Sequence, residues 1–494
     1  MKKYIISMAA AALVLSSCAD FLHINPEGTT SSTGLDYTKA ENIFKPVSAA
    51  YASMRTYGSH DMPYIAAFEI TSDNADKGST PEDGPETLAL DNFSVNSTNS
   101  IVNSLWVGYY DIVSAANNAL FQMDKFYEAM ASAENKQYVK QCEGESKFIR
   151  AYAYFNLVRM FANIPLVDRT MTADELADAK PVAPSDVYEF IEKDLEDAIA
   201  VLPESYSKSF AGRVTKYTAH ALKAKVHLYQ AEYDSVAVNA GKVIGSGRFG
   251  LLNNFKDVFT IDGENSIESL FEIQCSDLGQ NTGTNVPYFE YAYHQGPRGN
   301  TKSNLQGWGF CTPSEDLIAF YKSRGETVRP ATTLLYRGTM TAEGDSISVK
   351  CTNPVYNGKV YTPSEYNEWS YNGYGFDHNV RILRYSDVLL MYAEAVARGS
   401  AEYAPAGMSA QAAFDWVRNR AGLAPAALSV DNIMDERRAE LAMEEDRFYD
   451  LVRTGLAEVV LASKGFKKNK NELLPIPAQQ MQLNQNLKQN NNHN

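Results

Sequence analysis

The chain has 494 residues, 45% of them hydrophobic, and a net charge of −15. That length supplies a large core and permits several domains without requiring them. The acidic balance excludes a nucleic-acid binder, which needs clustered Lys and Arg.

The chain opens Met1-Lys2-Lys3 and continues with an apolar run from Ile5 to Leu15. A short basic start before about a dozen apolar residues reads as a secretory signal peptide. The run is shorter than the roughly 20 residues that a spanning helix needs. Leu15-Ser16-Ser17-Cys18 resembles a bacterial lipobox, which implies cleavage before Cys18 and lipidation of its sulfur. More than one acyl chain at that residue gives the stable anchoring that a single chain does not. Residues 1–17 are therefore expected to be the signal peptide, and residues 18–34, with their Gly/Ser/Thr tract, a lipidated tether. No later segment has the length and apolarity of a membrane span.

Residues 35–494 are expected to form one domain: a helical scaffold over about 35–260 and 376–460, and a loop-rich insert over about 261–375. Val47, Tyr51 and Met54 fall at helical spacing. Residues 71–99 are rich in Asp, Asn, Gly and Pro and read as a long loop, a feature often tied to function. A helix then carries Trp106, Tyr109 and Ile112 to about Phe126. Another bears Phe148, Tyr152 and Phe155. A third opens at Ser185 and stops at Leu202-Pro203, and a fourth runs over residues 215–232. Their succession, with alanines along the seams, is similar to tetratricopeptide pairs. The insert shows strand-like runs such as Ser269-Leu270-Phe271-Glu272-Ile273. Helices return at residues 385–397 and 411–420, and over 433–453 with Met434, Leu441 and Phe448 at heptad spacing. The Asn/Gln-rich tail from Gln479 is expected to lie on the surface or to fray.

The chemical motifs argue against catalysis. Gly245-Ser246-Gly247-Arg248-Phe249-Gly250 spells Gly-x-Gly-x-x-Gly, but it follows a helix rather than a strand, so a helix C-cap is expected instead of a dinucleotide site. His220 and His227 share a helix at a spacing of seven, wider than the three or four of helix-borne metal pairs, and read as packing residues. Neither a nucleophile elbow nor a Ser-His-Asp signature occurs. The charges from Glu436 to Asp450 read as a helix face laced with ion pairs. With Cys18 lipidated, Cys142, Cys275, Cys311 and Cys351 remain, which allows three pairings. Export permits disulfides, but the spacing contains no Cys-x-x-Cys, and free buried cysteines are expected. Catalytic residues, cofactors and metals are all expected to be absent.

Several runs together resemble one family. They are Gly144-Glu145-Ser146-Lys147-Phe148-Ile149-Arg150-Ala151-Tyr152, Val214-Thr215-Lys216-Tyr217-Thr218-Ala219, Arg384-Tyr385-Ser386-Asp387-Val388-Leu389, Glu436-Arg437-Arg438-Ala439-Glu440-Leu441 with Arg447-Phe448-Tyr449-Asp450-Leu451, and Leu474-Pro475-Ile476-Pro477. In this order, behind a lipobox, they resemble the SusD/RagB outer-membrane glycan-binding lipoproteins of Bacteroidetes. Glu445-Asp446-Arg447 stands where that family usually has Gly-x-Arg, and Arg453-Thr454-Gly455 replaces Arg-Trp-Gly. The resemblance implies a mostly α SusD-like fold with four tetratricopeptide-like helix pairs and a variable, loop-rich insert with short strands. It further implies a non-catalytic, surface-exposed lipoprotein of the outer membrane that captures oligosaccharide or polysaccharide and hands it to a SusC-like TonB-dependent transporter. A tetratricopeptide-type adaptor for a protein partner and an envelope glycoside hydrolase are the alternatives.

A glycan site needs an aromatic plate for the apolar sugar face and planar polar groups for neighbouring hydroxyls. Candidates are Asp73, Asn74 and Asp76 in the polar segment, Trp106 at the mouth of its helix, either a stacking plate or the first core residue of its repeat, and Trp308 between two glycines, either an exposed plate or a core plug. Cys311 and Arg381 complete the set, the latter expected to open the helix after the insert. Thr312, Pro313 and Glu315 suggest a capping box behind Trp308.

Overall fold

The computed structural model describes residues 34–275, 290–366 and 378–493. Cys18, the signal peptide and nearly all of the tether lie outside these residues, as do two stretches of the insert. Among the described residues no helix is long and apolar enough to cross a membrane.

Helix α1 (Lys45–Ser53) leads into the polypeptide core. The scaffold proper begins with α2 (Ser100–Ala129) and α3 (Ala133–Phe161). It continues through α4 (Pro184–Val201), α5 (Lys216–Tyr229) and α6 (Tyr233–Gly245). After α7 (Glu315–Ser323) in the insert come α8 (Tyr385–Ala397), α9 (Ala410–Arg420), α10 (Val430–Leu441) and the short α11 (Arg447–Arg453). Packing runs in order from α2 to α3, α4, α5, α6 and α8, and then to α9 and α10. The result is four successive pairs, α2/α3, α4/α5, α6/α8 and α9/α10.

Local chemistry sets the helix starts. Asn99 accepts the N–H of Ile101 and Val102 at the head of α2, Ser132 accepts that of Asn135 at α3, and Thr215 with Thr218 forms a capping box at α5, each satisfying donors that a helix start leaves free. The second half of α3 is buried on nearly every side because α2 and α4 cover it, as expected for a helix apolar all round. Arg150 on α3 ties this trio together. It binds Asp194 of α4 at 2.8 Å through two nitrogens and Asn117 of α2 at 2.7 Å.

Among the described residues, four short antiparallel ladders complete the fold: β1 (Ala75–Gly78) with β5 (Phe310–Pro313), β2 (Ile164–Pro165) with β3 (Pro181–Val182), β4 (Ser269–Ile273) with β8 (Val380–Arg384), and β6 (Leu334–Tyr336) with β7 (Val355–Asn357).

The structure departs from the sequence reading at several points. Residues 71–99 are not one loop: β1 and a helix at Pro85–Asp91 occupy them, and residues 71–75 are buried because the apolar stretch just before them enters the core. The single helix expected over 433–453 is two. Its bonds stop where the Glu69 carboxylate accepts the N–H of Met443 at 3.1 Å and of Glu445 at 2.7 Å, and both residues take left-handed φ. Met434, Leu441 and Phe448 therefore do not share one helix face. Ser314, not Thr312, caps α7, since Thr312 and Pro313 belong to β5. Arg381 lies inside β8, ahead of α8.

The charges from Glu436 to Asp450 do pair, but largely in the interior rather than along a solvated helix face. Arg437 holds Asp387 at 2.6 Å and Asp450 at 2.8 Å, while Arg384 holds Glu268 at 2.7 Å, Glu440 at 3.0 Å and Glu444 at 2.6 Å. Gly247, just past α6, has φ of 63°, the left-handed turn of a helix C-terminus. The four described cysteines are free, three of them buried. The tail is docked on the surface by side-chain amides: Asn490 Nδ2 donates to Leu474 O at 2.8 Å and Asn484 Nδ2 to Ala179 O at 2.7 Å.

Candidate functional site

Two segments that look unrelated in sequence meet through the β1–β5 ladder, which sets Asp76 opposite Thr312 and Gly78 opposite Phe310. Beyond the ladder, the Ser314 hydroxyl donates to Asp73 O at 2.6 Å and its N–H to Asn74 O at 2.8 Å. The polar segment and the tryptophan segment therefore form one unit.

Trp308 is 38% exposed. Two glycines put it there. Gly307 passes so close to the helix at Tyr291–Gln295 that a Cβ would stand 2.4 Å from Tyr293 O, and Gly309 has φ of 70°. The backbone is fixed by Trp308 N–H donating to Tyr293 O at 2.9 Å. Tyr293 meets the indole edge-to-face at 6.0 Å, and the Arg298 guanidinium sits 5.6 Å from its ring centre. Arg298 in turn pairs with Asp83 and donates to Ser79 Oγ at 2.8 Å. Asp83 also accepts Thr80 Oγ1 at 2.8 Å and Ser79 Oγ at 2.9 Å. Those bonds, with the Arg298 charge, hold its carboxyl below the usual range.

Phe310, the first residue of β5, lies 6.4 Å from His294 in edge contact. His294 Nε2 is 3.1 Å from Asp61 Oδ1 and 3.5 Å from Glu290 Oε2. Tyr57, 52% exposed, is near enough to these acids that burial, then the charges of Asp61, Glu86 and Glu290, raises its hydroxyl pKa. The face thus combines exposed aromatic rings with planar polar groups. The larger clefts lie elsewhere, on the scaffold and beside the tail.

The other sequence candidates have different surroundings. Asp73 is buried and grips Arg447 at 2.8 and 2.9 Å and Arg438 at 2.9 Å. Burial alone would raise its pKa, but the bond and charge of Arg447, then Arg438, hold it below the usual value. Asn74 accepts Arg438 Nε at 3.0 Å. Trp106 is 5% exposed and packs on Phe161 at 5.0 Å and Tyr110 at 5.1 Å, as a core residue of α2. Cys311 is fully buried, and burial pushes its thiol up. Arg381 turns inward to Asn379 O at 2.6 Å and Thr260 O at 2.8 Å. Asp76 is exposed at the edge of β1. Of the seven, only Trp308 and Asp76 present substantial surface. Arg298 and Asp83 escaped the sequence reading because only the fold brings them beside Trp308, as it alone brings His294 to Phe310 and Tyr57 near Asp61 and Glu290. Arg298 alone had a local sign, standing in a Gly/Pro turn at residues 296–299.

A helical-repeat scaffold bearing an exposed aromatic face on its insert thus defines the protein's architecture. Residues 21–228 match a family model described as starch-binding associating with outer membrane, and residues 334–493 match the model of the SusD family. SusD-like protein P2 of Formosa agariphila is 27% identical over 99% of both chains. Among solved structures, a laminarin binding SusD-like protein is 29% identical, with a TM-score of 0.79 over 92% of this chain and 99% of that one. Surface glycan-binding protein A from Bacteroides fluxus is 25% identical, with a TM-score of 0.78 over 92% of this chain and 100% of that one. The chain belongs to the SusD/RagB family.

Proposed function

We propose that this chain is a non-catalytic, lipid-anchored protein of the outer-membrane surface that captures oligosaccharide or polysaccharide for a SusC-like TonB-dependent transporter. The observation that carries the reading is Trp308. Two glycines hold its indole out to solvent, with the Arg298–Asp83 pair beside it. An indole offers an apolar plate for a sugar ring, and a guanidinium and a carboxylate each engage neighbouring hydroxyls. An open face suits a chain longer than any pocket. The 29%-identical laminarin-binding relative makes laminarin the first glycan to test. Binding rather than hydrolysis is supported by the acids of α10 and α11, which are largely committed to arginines. One domain over residues 35–494 remains our reading of the body, with Cys18 as its anchor.

Affinity electrophoresis of the chain expressed from residue 19, through gels containing laminarin, starch or other polysaccharides, tests this. Retardation by one glycan, abolished by Trp308→Ala and without release of reducing sugar, is expected. Unchanged retardation in Trp308→Ala would move the site elsewhere, and mobility unaffected by every glycan would favour the protein-adaptor alternative.

A further inference from the structure

A second constellation lies far along the scaffold, in a polar cleft of about 820 Å³ bordered by α4, the end of α5 and the start of α6. We propose that Glu192, His227 and Glu232, which converge there, form a Zn²⁺ site. The His227 Nδ1 atom stands 2.6 Å from Glu232 Oε2 and 3.8 Å from Glu192 Oε1, and one ligand atom of each residue falls within 4.8 Å of the others. Because a carboxylate only accepts, Nδ1 carries the proton that now bridges His227 to Glu232.

Charge balance distinguishes these three residues from ordinary surface acids. The two cations of the cleft are already engaged: Lys223 with Glu196 at 2.6 Å and Arg398 with Glu394 at 2.8 Å. Among the described residues, His227 is the only cationic partner that Glu192 or Glu232 has. Two carboxylates thus lean on one imidazole. Backbone geometry fixes the arrangement: Glu232 N–H donates to His227 O at 3.0 Å across a turn in which Ala231 is left-handed. Gln230 Nε2 donates to Glu192 Oε1 at 2.7 Å, an outer contact of the kind that orients a ligating carboxylate.

The donor set selects the ion. Calcium and magnesium take oxygen ligands, whereas one imidazole with carboxylates suits zinc and its transition-metal neighbours. Zinc binds nitrogen and oxygen at about 2.0–2.2 Å in a tetrahedron, which places ligand atoms roughly 3.3 Å apart. The 2.6 Å contact must open and the 3.8 Å contact close by less than about 1 Å each. Zinc would displace the bridging proton and leave its fourth position facing the cleft.

The full chain, purified without a histidine tag and stripped with EDTA, is titrated with ZnCl₂ by calorimetry and with CoCl₂ by visible absorption. One equivalent of zinc is expected, with the cobalt spectrum of a four-coordinate site and no competition from calcium. Glu232→Gln, at a half-exposed position that tolerates change, should weaken zinc binding at least about tenfold. His227→Ala should abolish it together with the cobalt spectrum. Absence of saturable zinc binding, effective competition by calcium, or wild-type affinity in Glu232→Gln would overturn the site.

Discussion

The Glu69 carboxylate accepts the backbone N–H of Glu445 at 2.7 Å, while the Glu445 side chain is itself buried in the same interior. Burial, partly offset by the two backbone bonds, pushes Glu69 up to about 7, and burial followed by the Glu69 charge pushes Glu445 well above the carboxylate range. Glu445 keeps one bond, from Tyr291 OH at 2.6 Å, and its other oxygen has no partner. It occupies a left-handed position, φ 63°, a conformation that favours glycine.

The sign of the pH effect follows. A carboxyl whose folded pKa is raised holds a proton that the unfolded chain releases, so stability is greatest in acid and falls as pH rises through the window. For Glu69, whose pKa moves from 4.5 to about 7, the loss across that window is about 3 kcal/mol. Glu445→Gln removes a second buried carboxyl with a raised pKa, whose own ionisation adds to this decline, and should flatten it, raising Tm by about 2 °C at pH 8 with less effect at pH 5. Glu445→Gly should stabilise further by relieving the left-handed residue, worth about 1 kcal/mol. Thermal melts of both variants from pH 4.5 to 8 check this, and a steeper decline in Glu445→Gln would contradict it.

The two tryptophans should separate by readout. Trp308→Ala is expected to lower laminarin affinity at least about tenfold, the scale of a lost anchoring ring, and to leave Tm nearly unchanged because the ring is well exposed. Trp106→Ala should do the reverse, costing about 3–5 kcal/mol of stability by emptying a core position while the folded fraction keeps its affinity. Melts and glycan titrations on both proteins settle the pair.

Asp73 neutralises Arg447 and Arg438 together. Asp73→Ala should destabilise by about 3–5 kcal/mol, since it strands the buried Arg447 guanidinium, while Arg438 keeps Asp316 and Asn74. Asp73 has a depressed pKa, so its contribution is complete above the ordinary value of 3.8 and disappears as pH falls through the folded value. The variant should therefore lose less than the wild type on acidification below pH 3.8, which urea titrations at pH 3 and 7 would reveal.

Gly307→Ala tests the presentation of Trp308 without touching the ring. The added Cβ meets Tyr293 O at 2.4 Å, so the segment ahead of β5 must shift and carry the indole with it. Reduced glycan affinity in a protein that melts near the wild-type temperature is expected; unchanged affinity would mean that the ring's position is immaterial.

The sequence by itself determined the helical scaffold and the class. Apolar spacing, alanine seams and Ser/Thr/Asn caps are local signals, and local hydrogen bonds complete them, so α2 to α5, α8 and α9 stand close to where periodicity puts them, whereas the span of α6 was not read. The glycines flanking Trp308 announced an unusual backbone, but whether the ring is exposed or plugs the core was decided only by the fold. Only the tertiary structure decided which polar residues are free. Asp73, Asn74 and Arg381 have the composition of binding groups, yet each meets a partner from a distant part of the chain, Arg447 and Arg438 for the first two and Thr260 for the third. The break between α10 and α11 was equally hidden, because its cause is Glu69, some 370 residues away in sequence. A buried charge or an interrupted helix depends on what packs against it, and that information resides in long-range contacts rather than in spacing.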